Sequence, residues 1–370
     1  MWAAERFTPQ ELIVAPLVRI QRERLLSAPG LVLVQQGRTV QANDVVAQMP
    51  GRRILHMFDI GELLGLKKRS AVQKALRVQP DQLVEEGDIL AEAGSVIRRK
   101  RVRAPMRGRI LHIDPHGRIL LETIGEEENL RAGYRGTVIG LLPRYGVVIE
   151  AIGALVQGWW GNGHTNIGVL RMGVKRPHEI MPSSRLGIGL RGMIVVAGRT
   201  VEPAFFETAA QVGIRGLIVE TLRPDLLEIA TRMPYSVVVL GGFHREPMAQ
   251  PAFDIFNAHD GHEVIINATE PNPAERKYPE IFIPSMRADA RSEATPLQPG
   301  RPFNVGDVVR VLTPPMMGRI GVITELDVDE GPSETGLELP GCRISFGKGT
   351  EMIFPYTNLE RLTGCTLSLE

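Results

Sequence analysis

Apolar and polar positions alternate over short spans along most of this chain, and turn residues interrupt them at close intervals. Between residues 27 and 124, apolar runs such as Leu31-Val32-Leu33-Val34 and Val45-Val46 are cut by Gly30, Gly37 and Asn43-Asp44. The segment LRVQPDQLVEEGDILAE followed by KRVRAPMRGRILHID carries the same logic as the first, SAPGLVLVQQGRTVQANDVVAQ. Each strand is reversed by Gly87-Asp88 or by the turn from Ala104 to Gly108, so tight β-reversals are predicted. The period lengthens only in MFDIGELLGLKKRSAVQKAL, where Leu63, Leu64, Val72 and Leu76 share a helical face and predict a helical insertion.

From residue 136 to 172 several short β-runs surround a glycine-rich loop, Gly158-Trp159-Trp160-Gly161-Asn162-Gly163-His164. Tryptophans beside glycines suit either a ligand platform or a plug between packed units, and the plug is the commoner use. Beyond residue 186 the pattern changes. GMIVVAG (192–198), RGLIVET (215–221), YSVVVLGG (235–242) and HEVIINAT (262–269) are continuous apolar runs that suit a covered parallel sheet. The segments between them read as crossover helices, which predicts a small α/β layer domain. A Pro-, Ala- and charge-rich stretch over 287–302 reads as a linker, and strands resume after it. The expected organisation is a mixed multidomain chain: a β-rich unit at 1–135, a β bridge at 136–185, the α/β unit at 186–286, the linker at 287–302 and a β-rich tail at 303–370.

The repeat GRILHIDPHGRILLE (108–122) poses a choice between a metal site at His112, Asp114 and His116 and a hairpin. Asp114-Pro115-His116-Gly117 is turn chemistry, with Pro fixing one φ and Gly admitting a positive one. Three scattered ligands without a fourth make a weak metal signal, so a hairpin is expected and no metal site is assigned. Cys342 and Cys365 form no CxxC pair and predict neither a disulfide framework nor zinc. Gly161, Gly163 and Gly168 do not fit GxGxxG, so no dinucleotide site is assigned.

With 43% hydrophobic and 23% charged residues the composition is that of a folded chain, not a disordered one. The formal net charge is +1, yet residues 1–150 hold 23 Lys and Arg against 17 Asp and Glu, a difference of +6. The densest cluster is Arg98-Arg99-Lys100-Arg101 with Arg103, followed by Arg107 and Arg109. On a strand, alternate members would line one face. That face is either a phosphate-binding row or a solvated row balanced by Glu126-Glu127-Glu128. The first residues show no basic-then-apolar leader, and no run of about 18 apolar residues occurs, so a cytoplasmic chain without membrane spans is expected.

The cadence V.EGD.LAE followed by VRAP..GRI, within about residues 27–124, resembles the barrel-sandwich hybrid family. That family includes biotinyl and lipoyl carrier domains and modules of large RNA polymerase subunits. Its carriers hang their cofactor from a hairpin lysine. Here Ile97 takes that place and Lys100 is the nearest lysine, so no prosthetic group or other cofactor is expected. In the tail, Gly306-Asp307-Val308-Val309-Arg310-Val311 and Met317-Gly318-Arg319-Ile320-Gly321-Val322-Ile323 resemble the KOW motif of ribosomal proteins and transcription elongation factors. The resemblance implies an SH3-like β-barrel over 303–363 and contacts with RNA, ribosomal proteins or polymerase. The acidic insertion Asp327 to Glu334 departs from that pattern and would repel nucleic acid.

Two functions follow as expectations. The leading one is a non-enzymatic interaction protein of the transcription or translation machinery, meeting protein or RNA through Arg98, Arg99, Lys100, Arg101, Arg103, Arg310 and Arg319, with self-association open. The alternative is a small-ligand enzyme or sensor at the carboxyl ends of the α/β strands, where Gly198, Glu220, Gly241, Gly242 and His244 fall. His244 has no acid–base partner evident in the sequence.

Overall fold

The computed structural model describes residues 10–51, 53–95, 98–124, 127–275, 277–287, 289–296, 300–329, 339–364 and 367. It is β-rich, with several sheets. Gln10–Leu25 forms one long strand that pairs antiparallel with Gly146–Gln157, from Val14 opposite Val156 to Leu25 opposite Gly146. The register shifts between Ala15 and Val18, where Pro16 has no N–H to give a ladder. The same strand runs parallel to Thr295–Pro296 and, at its start, to Leu359–Thr363.

The chain after Gly146–Gln157 builds the largest core. Gly146–Gln157 pairs with Glu280–Pro284, which pairs with Glu263–Asn267, which pairs with Thr165–Met172, all antiparallel. Thr165–Met172 then runs parallel to Met193–Val196, followed in parallel by Gly216–Thr221 and Ser236–Gly242. The valines and isoleucines of Met193–Val196, Gly216–Thr221 and Ser236–Gly242 are buried on both sides, as continuous apolar strands require. Helices Pro203–Val212, Leu227–Thr231 and Gln250–Ala258 supply the crossovers. The first starts on a proline and stops at Gly213, whose φ of +80° suits glycine. It buries Phe205 and Phe206, each stabilising by about 1.5–3 kcal/mol.

Three expectations need correction here. The fourth α/β strand, Glu263–Asn267, runs antiparallel, because Thr165–Met172 and Glu280–Pro284 flank it. The supposed bridge at 136–185 is therefore part of the same sheet. The supposed linker is likewise partly built in: Ala290–Glu293 is a short helix and Thr295–Pro296 is a sheet strand.

In the N-terminal part, Leu31–Val32, Val45–Met49 and Glu128–Arg131 form one small sheet. A second has the order Arg53–Asp59, Arg118–Ile124, Gly108–Ile113, Leu83–Val84. A two-stranded hairpin joins Ile89–Ser95 to Arg98–Arg103. The helical insertion is two short helices, Ile60–Leu64 and Arg69–Ala75. Gly65, at φ +73°, ends the first and resets the helical phase, so Ile60, Leu64, Val72 and Ala75 are buried while Leu63 is exposed.

The C-terminal strands run in the order Glu351–Pro355, Pro340–Ser345, Ile320–Asp329, Val308–Val311, Leu359–Thr363, with Gln10–Leu25 beyond. Phe303, Val309, Val311, Ile323, Cys342, Ile344 and Tyr356 pack its core. The sheet is open: among the described residues Glu351–Pro355 pairs with Pro340–Ser345 alone. Residues 330–334 of the acidic insertion, Ile97, Glu126 and Cys365 lie outside the described residues. No described helix is long and apolar enough to cross a membrane.

Candidate functional site

The strands Gly216–Thr221 and Ser236–Gly242 end side by side, with Thr221 opposite Gly242. Glu220 is thereby held in the interior, 2% exposed. His244 follows the second strand, and its Nδ1 accepts a bond from the Glu246 N–H at 3.2 Å. That bond leaves the ring proton on Nε2, which faces Glu220 Oε1 at 3.5 Å, too long for a good hydrogen bond. Gly241 is required here, since a Cβ would lie 2.1 Å from Glu220 Oε1 and 2.3 Å from His244 Nε2. Gly242 has φ +101° and backs onto the Trp159 ring, which also meets Phe243 edge-on at 5.3 Å.

The tail closes this corner. Arg310, 3% exposed, places Nη1 3.7 Å from Glu220 Oε1 and donates to the Leu240 carbonyl at 3.4 Å. Its Nε donates to Glu360 Oε2 at 2.9 Å and Nη2 donates to the same oxygen. Burial works against the guanidinium charge, but Glu360 and Glu220 outweigh it and raise the Arg310 pKa. Gly318, at φ +89°, lets the tail lie on the imidazole, where a Cβ would stand 2.5 Å from His244 Cγ.

Of the five residues expected at a ligand pocket, Glu220, Gly241, Gly242 and His244 are thus brought together, and the Gly198 carbonyl accepts the Glu220 N–H at 3.0 Å. The side chains of Glu220 and His244 are each 2% exposed. Glu220, His244 and Arg310 meet there as a buried polar junction between the α/β strands and the tail. Arg310, expected as a surface contact, is instead its central cation; in Val308-Val309-Arg310-Val311 all four residues are buried. Arg319 is exposed and stacks over Phe346 at 5.2 Å. A cleft of about 400 Å³ opens beside the junction, with Glu246, Gln250 and Arg319 among its walls.

The hairpin 89–103 carries the other group. Arg98 opens its second strand opposite Ser95, and Glu92 stands opposite Arg101. Alternation puts Arg99, Arg101 and Arg103 on one face. Val102, on the other face, packs against the core and fixes the strand. Glu92 lies 3.2 Å from Arg77 Nε, 3.4 Å from Arg101 Nε and 3.7 Å from Arg99 Nη1. The Arg77 hydrogen bond, helped by Arg99, holds its carboxyl below the usual range. One carboxylate therefore serves three guanidiniums. Arg103 donates to the Gly87 carbonyl at 2.6 Å and is exposed, as is Lys100. Residues 53–124 hold 14 Lys and Arg against 9 Asp and Glu, a net of +5.

The expected counter-charge lies elsewhere: Glu127 accepts from Gln48 and Glu128 from Ser27. Glu92 and Arg77 had no sequence signal beyond their charge. At the hairpin turn, Asp114 Oδ1 accepts from the His116 and Arg118 N–H groups, both at 2.8 Å, and Oδ2 from Arg118 Nε at 2.7 Å. Both oxygens are thus committed to the turn.

No protein-family model matches the chain, and no curated protein matches it.

Proposed function

We propose that this chain is a non-catalytic, cytoplasmic interaction protein that holds a phosphate-rich partner, RNA, on the guanidinium face of the 89–103 hairpin. The observation that carries this reading is the imbalance on that face: among the described residues Arg77, Arg99 and Arg101 share the one carboxylate of Glu92, with the exposed Arg103 on the same face. Guanidinium forks match phosphate oxygens in pairs, and their long stems reach along a backbone without reading bases. The barrel-sandwich and KOW resemblances support the same reading, because both modules recur in transcription and translation assemblies. In it, the C-terminal strands form the SH3-like unit, and the α/β strands with their ionic junction set its position.

Fluorescence anisotropy with a labelled single-stranded RNA, titrated at several salt concentrations, tests the proposal. Each phosphate neutralised should contribute about −0.7 to the slope of log K against log salt. The double variant Arg99→Glu/Arg101→Glu should weaken binding at least roughly tenfold and flatten that slope. Glu92→Gln should tighten binding, since it releases three guanidiniums. Absence of binding at low salt, or equal affinity in all three proteins, would overturn the proposal; capture of an acidic protein with no RNA would also do so.

A further inference from the structure

Arg53–Asp59 is the outer strand of its four-stranded sheet and, among the described residues, has Arg118–Ile124 as its sole ladder neighbour there. Exposed sheet edges are commonly guarded by lysine, proline or a bulge. The centre of this one carries Leu55 and Met57, 57% and 67% exposed, and charge appears only at its two ends. The Ile54 carbonyl receives the Thr123 hydroxyl and the Ile60 N–H reaches the Gly117 carbonyl, so even-numbered residues face the inner neighbour. By alternation, Leu55 and Met57 turn their N–H and C=O groups outward.

We propose that this edge pairs with the same edge of a second copy of the chain, antiparallel, about a two-fold axis through His56. The sequence Arg-Ile-Leu-His-Met-Phe-Asp is complementary to itself in that register. Arg53 meets Asp59 of the second copy, Ile54 meets Phe58, Leu55 meets Met57, and His56 meets His56. Two Arg–Asp pairs form per dimer. Asp59 Oδ1 already caps the following helix at the Glu62 N–H, which leaves Oδ2 for the second copy's Arg53, an exposed side chain whose own-chain contact is a 3.4 Å bond to Glu122 Oε1. Centring the axis on Leu55 or Met57 leaves both charges opposite other residues. A one-residue slip turns the outward backbone groups onto inward ones. The His56 register alone satisfies charge and backbone together, and two sheets of four strands become one of eight across an isologous contact. The leucine and methionine pairs are then the hydrogen-bonded ones. His56 becomes a non-hydrogen-bonded pair with Cα atoms about 4.5 Å apart, close enough to bridge.

The register is tested by cross-linking the full chain carrying Cys365→Ser; the remaining Cys342 is buried, and burial pushes its thiol pKa up to about 12. Under mild oxidation, His56→Cys should give a disulfide dimer at least roughly tenfold faster than Ile54→Cys, which faces Phe58 and not itself. The double variant Ile54→Cys/Phe58→Cys should cross-link again. Sedimentation of the wild-type chain should show concentration-dependent dimers, retained in Met57→Leu and lost in Met57→Lys. A wild-type chain that stays monomeric at its highest soluble concentration overturns the proposal. So does a dimer that survives Met57→Lys, or equal cross-linking at residues 54 and 56.

Discussion

Replacing Arg310 by methionine removes the one cation between two buried carboxylates. Glu360 and Glu220 are each 2% exposed, and Arg310 gives Glu360 two N–H donors. Breaking a buried pair by deleting one partner costs about 3–5 kcal/mol, because the remaining charge is stranded. With two carboxylates stranded, Arg310→Met should fall at the upper end, about 4–5 kcal/mol. Glu360→Gln keeps an acceptor for the guanidinium and should cost about 1–3 kcal/mol, the worth of a charged hydrogen bond. Glu220 has a weaker hold: it stands 3.7 Å from Arg310 and 3.5 Å from His244, and among the described residues its Oε2 has no hydrogen-bond partner. Glu220→Gln should therefore change stability by less than about 1 kcal/mol. Urea unfolding followed by tryptophan fluorescence reads this corner directly, since the Trp159 ring lies on Gly242 and Phe243. An Arg310→Met cost below about 1 kcal/mol, or a larger loss in Glu220→Gln than in Glu360→Gln, would refute the ionic-junction account.

Gly318→Ala should destabilise by about 1–3 kcal/mol through overpacking on His244, whereas Gly306→Ala, with similar φ but open space, should cost about 1 kcal/mol; thermal melts of the two variants make the comparison. Tyr134→Phe deletes the hydroxyl that donates to buried Glu280, which also binds Arg22 at 2.6 Å, and should cost about 1.5–3 kcal/mol in urea unfolding. Asp114 is held down to about 2, chiefly by the Arg118 N–H. A carboxyl lowered on folding stabilises above its unfolded value near 3.9 and loses that contribution as pH falls toward 2. The melting-temperature gap between wild type and Asp114→Asn should thus be full at pH 6 and close between about pH 4 and 2.

The parts of this fold that local pattern reveals are those where neighbours in sequence are neighbours in space. The turn at Asp114 to Gly117 is legible because its hydrogen bonds are internal to it. The runs around Val195, Ile218 and Val238 are legible because a covered strand must be apolar on both faces. The convergence of Glu220, Gly241 and His244 follows from parallel topology, which sends successive strand ends to one side. What fills that side does not, because Arg310 arrives from 90 residues beyond Glu220. A signal was nevertheless present: a lone arginine inside Val308-Val309-Arg310-Val311 must be buried if the run is a covered strand, and a buried arginine needs an acid. The reverse orientation of Glu263–Asn267 had no such mark. It depends on Thr165–Met172 and Glu280–Pro284 flanking it, and no periodicity records which strands become neighbours. The first strand escaped notice because Pro16 and the charged run Arg19 to Arg24 obscure its alternation.

That first strand has a consequence for how the chain comes to be made. Glu11 receives Arg361 at 3.0 Å across 350 positions of sequence, and also the Gly300 N–H at 3.0 Å. The segment 10–25 is synthesised well before two of the strands it pairs with among the described residues, 295–296 and 359–363. Until those strands are made, a sixteen-residue strand that includes the apolar stretch Leu12 to Val18 waits with part of its backbone unmatched. Such an interval invites premature association, so the nascent chain is the form most in need of a chaperone.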